Sequence, residues 1–156
     1  MNEKQCEIQE KCISFAVRID KLRKHLNKNH REYNKADQVD RSASAIGALY
    51  SEAVHAESEA DYIHKLCIAQ KEANETTYWI KLIHRCGYIE DNLYESLIAD
   101  SAELIRIITS IIISAQSKLV MVVDSIEREF PIAIDATYTV AGKEGSIYDL
   151  RLGNVV

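Results

Sequence analysis

Apolar positions recur along this chain in alternating steps of four and three, the spacing of amphipathic helices. Ile8, Cys12, Phe15, Ile19, Leu22 and Leu26 form a first stripe; Val39, Ala43, Ile46, Tyr50 and Ala53 form a second. Tyr62, Leu66, Ala69, Ala73, Thr76, Ile80 and Ile83 form a third. The fourth runs through Leu93, Leu97, Ser101, Leu104, Ile108, Ile111 and Ala115, widened by Ile98, Ile105 and Ile112. The breaks between stripes carry suitable chemistry. Asn27 to Asn34 is polar and reads as a loop. Ser58 with Asp61 three residues later reads as a helix N-cap. Gly87 after His84, Arg85 and Cys86 reads as a C′ glycine behind a basic last turn, and Asp91 or Asn92 is placed to cap the fourth helix. Short connections between long amphipathic helices imply antiparallel neighbours, so the expected fold is all-α, an up-down-up-down four-helix bundle over residues 1–118.

Beyond Lys118 the pattern changes. "LVMVVDSIEREF" suits either a prolonged fourth helix or a strand. After Pro131, "AIDATYTV" and "SIYDLRL" flank "AGKEG" and read as two short strands around a turn, a C-terminal extension over residues 119–156 with a β-hairpin.

Composition adds limits. The 156 residues suffice for one self-sufficient core, 47% are hydrophobic, and 28% are charged, which argues against disorder. Four cysteines (Cys6, Cys12, Cys67, Cys86) lack CxxC spacing and fit reduced thiols of a cytoplasmic protein. No apolar leader opens the sequence, and Leu104 to Ile113, broken by Arg106, is too short to span a bilayer, so no membrane partner is expected. A net charge of −5 does not mark the whole molecule as a nucleic-acid binder. The charge is uneven, however. Lys11 to Arg31 holds seven basic residues (Lys11, Arg18, Lys21, Arg23, Lys24, Lys28, Arg31) against Asp20 alone, whereas Glu90 to Glu129 holds eight acids against three bases. Arg18, Lys21, Arg23, Lys24 and Lys28 are therefore either a solvated face or a phosphate-binding stripe.

Candidate chemistry concentrates in "KEANETTYWI", residues 71–80. A hairpin of helices two and three turning near residue 57 puts Arg41 level with Asn74, between Glu72 and Glu75. Arg41 is thus expected to pair across the helices with one or both carboxylates. Glu52 and His55 form a Glu-x-x-His motif of the di-iron bundle kind, but only one is present. It lies some twelve residues, roughly 18 Å, along the helices from Glu72 and Glu75. A carboxylate metal site is kept as an alternative, with no metal or other cofactor expected. Glu103 falls level with Asn74 and is read as a flanking, solvated charge. Trp79 lines either the core edge or a subunit contact. No P-loop, dinucleotide fingerprint or nucleophile elbow occurs, and an enzyme is not expected.

Residues 40–83 resemble the four-helix-bundle family encoded within intervening sequences of bacterial large-subunit ribosomal RNA genes. Arg41, Ser42, Ile46, Glu52, Ala53, Ser58, Asp61, Ile68, Ala69, Lys71, Glu72, Glu75, Thr76, Tyr78 and Trp79 fall on that family's pattern. Ala45 and Leu49 depart from its usual Ser and Asn, and the tail beyond Leu119 extends past it. The resemblance implies a ring-like homo-oligomer, a pentamer, with no established enzymatic activity and with RNA or a nucleic-acid-processing protein as partner. A distant relative is the accessory variability protein of diversity-generating retroelements, which partners a reverse transcriptase and nucleic acid. That role is a second alternative.

Overall fold

The structure, a computed structural model, describes residues 2–129, 137–140 and 143–146. Four α-helices form among them: α1 (Glu3–His25), α2 (Asn34–Val54), α3 (Glu59–Arg85) and α4 (Asp91–Glu129). The chain divides into two compact units, Met1–Leu119 and Val120–Val156.

Several helix ends in the first unit have an identifiable cause. Asn2 and Gln5 bond reciprocally in a capping box that starts α1. The Ser58 hydroxyl accepts from the Asp61 N–H at 3.1 Å and starts α3. At the end of α3, Gly87 sits at φ 75°, its N–H donates to the His84 carbonyl, and the Tyr88 N–H donates to that of Ile83. This is the paired closure in which a residue without a Cβ takes the left-handed position. The expected loop from Asn27 to Asn34 is shorter than read: α1 runs on into a π-helical turn, Leu26–His30. Arg31 ends it at φ 53°, and Glu32 N–H bonds back to the Leu26 carbonyl at 3.2 Å. Leu26 is fully buried, so the last apolar residue of the stripe holds the polar turn on the bundle. Neither Asp91 nor Asn92 caps α4. The Tyr94 N–H donates to the Glu90 carbonyl, which makes Asp91 the first helical residue.

Side-chain pairs fix the arrangement. Arg23 lies 3.4 Å from Asp40, Lys65 2.6 Å from Glu52, Gln70 2.6 Å from Thr109 and Lys11 3.0 Å from Glu103. Arg18 pairs with Asp100. Along each seam the number on one helix rises as that on its neighbour falls, so α1–α2, α2–α3, α3–α4 and α4–α1 are all antiparallel. The four stripes meet in one apolar cluster in which Ile19, Leu26, Val39, Ile46, Leu66, Ile80, Ile83 and Ile108 have no exposed surface. Each such side chain contributes roughly 1.5–3 kcal/mol of gross burial energy. Helices α1 and α2 approach closely at Gly47, where an added Cβ would stand 3.2 Å from the Cys12 Cβ.

In the second unit α4 continues helical to Glu129, so the valine run is not a strand. Strands β1 (Thr137–Val140) and β2 (Lys143–Ser146) pair antiparallel, with Val140 opposite Lys143. The second strand therefore takes in Lys143 to Gly145, residues read as part of the turn; residues 141–142 and 147–152 lie outside the described residues.

Candidate functional site

The α2–α3 seam is polar on the outside and sealed within. Arg41 Nη2 donates to Glu75 Oε1 at 3.1 Å and to Gln38 Oε1 at 2.8 Å. The same Glu75 oxygen accepts from Trp79 Nε1 at 3.1 Å, so one carboxylate clips the arginine of α2 to the indole of its own helix. Beneath, the buried Thr76 hydroxyl stands 2.9 Å from that of Ser42 and 2.8 Å from the Glu72 carbonyl. Of the two carboxylates offered to Arg41, Glu75 is the one it meets. Glu72 makes no ion pair among the described residues, and its Oε2 is buried without a partner. Three residues turn a helix by about 300°. That leaves Glu72 nearer the core than Glu75, inside the line Arg41 follows. The Arg41 side chain is 63% exposed. An exposed pair of this kind contributes less than about 1 kcal/mol. It sets register more than it stabilises.

Trp79 is half-buried against the core cluster, edge-to-face with Tyr78 at 5.2 Å between ring centroids. Tyr78 itself is exposed.

The basic stripe of α1 is not a row of free cations. Arg18 reaches α4, donating to Asp100 and, at 2.8 Å, to Ser96 Oγ. Arg23 bonds Asp20 at 2.9 Å and faces Asp40, and Lys24 also pairs with Asp20. Hydrogen bonds from Lys24 and then Arg23 hold the Asp20 carboxyl below its usual range. Lys21 and Lys28 remain exposed and make no ion pair among the described residues. Sequence reasoning missed the partners of this stripe, because α1 and α4 are joined by no turn whose position would give their register. Glu103, read as a solvated flank, is one of them. It bonds Lys11, and that bond raises the lysine's pKa. Glu7, Glu10, Lys11, Arg18, Asp100 and Glu103, with a floor that includes Phe15 and Leu104, line a groove of about 420 Å³ between α1 and α4.

At the end of the bundle where α1 meets α2 and α3 meets α4, rings collect. His25 and His30 lie 5.4 Å apart between centroids, and His30 lies 4.9 Å from Tyr88. Lys35 sits 5.7 Å over the Tyr88 ring and bonds Glu32 at 2.6 Å, which lowers the Glu32 carboxyl pKa. His84 stacks on Tyr94 at 4.1 Å and bonds Asp91 at 2.7 Å.

As to reactive groups, burial pushes the Cys12 thiol up to about 11, far from the activated range of nucleophilic cysteines. Glu52 bonds Lys65, and among the described residues no three His, Cys, Asp or Glu side chains converge as a metal requires. Among the same residues no helix is long and apolar enough to cross a membrane.

An antiparallel, all-α four-helix bundle with polar clips along its seams is the class these observations define. The particular family is one of them: the chain belongs to the 23S rRNA-intervening sequence proteins, whose family model matches residues 4–110. It is also similar to a crystal structure of a protein of unknown function from the S23 ribosomal protein family of Bacteroides thetaiotaomicron VPI-5482. The two are 46% identical with a TM-score of 0.66, over 67% of this chain and 97% of that one. No curated protein matches the sequence.

Proposed function

We propose that this chain is a non-enzymatic, self-associating bundle, a homopentamer, that serves as an RNA-associated interaction module in the cytoplasm. The observation that carries the self-association is on α1. Ile13 and Val17, one helical turn apart and turned away from the core stripe, are 45% and 49% exposed. Single exposed apolar residues are ordinary, but large ones stacked at i, i+4 on an otherwise well-sealed helix form a ridge suited to a partner surface. Ile113, with 58% of its surface exposed on α4, adds to the apolar surface available to neighbours.

Light scattering on the size-separated protein tests this reading. Wild type is expected at a multiple of the 17.7 kDa protomer mass. The Ile13→Glu, Val17→Glu double variant is expected at the protomer mass with unchanged helical circular dichroism. A variant that keeps the wild-type mass would remove α1's outer ridge from the interface.

A further inference from the structure

We infer that the loop end of the bundle is a docking surface for a single-stranded polynucleotide, entered through a slot between α1 and α4. This rests on the RNA-associated reading above and gives it a place. The slot, about 240 Å³, has Leu22, Leu93 and Leu97 as its apolar floor and Arg18, Lys21 and His25 at its rim. That combination suits a flat, weakly polar ring whose attached group is anionic, which describes an unpaired nucleobase with its phosphate. Arg18 is held by Asp100 and Ser96, so the mobile charge at the rim is Lys21. His25 contributes its ring, oriented by Asn29, whose Nδ2 lies 2.9 Å from His25 Nδ1.

From His25 the surface continues as a row of rings, His30 and then Tyr88, spaced 5.4 and 4.9 Å. Lys28 and Arg31, beside that row, are exposed and make no ion pair among the described residues. Two acids close to them in sequence are already occupied: Asp20 by Arg23 and Lys24, Glu32 by Lys35. His25 and His30 are exposed and Tyr88 is half-buried beside them; rings in series with unpaired cations are how strands are held without sequence reading, bases stacking on the rings and phosphates facing the charges. An acidic peptide would use the cations but leave the leucine floor and the rings without a role. A net charge of −5 makes the contact local and salt-sensitive.

The experiment is fluorescence anisotropy of 5′-labelled twelve-nucleotide RNA and DNA strands of one sequence, and of the matching RNA duplex, at two salt concentrations. Wild type is expected to bind both single strands saturably and the duplex more weakly. The Lys21→Ala, Lys28→Ala, Arg31→Asn variant, whose asparagine tolerates the positive φ at position 31, removes three charges. It should flatten the slope of log affinity against log salt by about two, at roughly 0.7 per phosphate contact. His30→Ala should weaken binding about tenfold while leaving that slope unchanged. Lys4→Ala with Lys71→Ala, also exposed but elsewhere on the bundle, should change affinity less than about twofold. A thiouridine-containing strand should cross-link to peptides holding His30 or Tyr88. Absence of saturable binding to either strand overturns both this inference and the RNA-associated reading. Equal losses in the loop-end and control variants, or cross-links confined to other helices, overturn the inference alone. Tighter binding of a polyglutamate peptide than of either strand overturns it in favour of an acidic protein partner.

Discussion

Replacing Ile108 with alanine is expected to lower the free energy of unfolding by about 2–5 kcal/mol. Ile108 has no exposed surface and belongs to the cluster in which the four stripes meet. Truncation removes the transfer energy of three carbons and leaves a hole that the close-packed helices only partly collapse to fill. The charged clips along the seams do not compensate, since each contributes less than about 1 kcal/mol at an exposed position. Urea denaturation followed by circular dichroism measures the effect as a lower midpoint at unchanged slope. A loss under about 1 kcal/mol would mean that α4 is not packed at the centre of the bundle.

Replacing Gly47 with leucine is expected to cost about 3 kcal/mol, and Gly47→Ala separates the causes. Alanine is a better helix former than glycine by about 1 kcal/mol, so an exposed site would be stabilised. Here the new Cβ meets the Cys12 Cβ at 3.2 Å, and Cys12 is itself buried in the apolar cluster. A Cβ has no rotamer in which to retreat, so relief requires α1 and α2 to part by a few tenths of an ångström. The alanine variant should therefore show none of the propensity gain. Leucine forces the helices apart along the whole contact. The same denaturation series measures both, and a stabilised Gly47→Ala would show that the α1–α2 approach is looser than described.

Much of this architecture was legible because helix-stripe spacing and short connections leave few topologies. With one turn placed near residue 57, the register of α2 against α3 follows, and Arg41 does lie 3.1 Å from Glu75. Three things were not legible, each for a physical reason. Glu72 and Glu75 look alike as letters, but their rotation about α3 decides which one an arginine on α2 reaches. The α1–α4 seam joins the first helix to the last, so no connection sets its register. The pairs Lys11–Glu103 and Arg18–Asp100 therefore appear only in three dimensions, and with them the neutralisation of much of the basic stripe. The polar run after Leu26 reads as a loop because it lacks apolar periodicity. Its anchor is one buried leucine and backbone hydrogen bonds, which composition does not report. The assembly of rings from His25 to Tyr88 depends on that turn. Residues 25–30 and 88 are far apart in sequence and meet only because the two connections share one end of the bundle.

The central claim, that this family member works as an assembly of copies, is tested most directly by native mass spectrometry of the purified full chain. A dominant species at five times the 17.7 kDa protomer mass is expected, and a dominant protomer at micromolar concentration would contradict such an assembly.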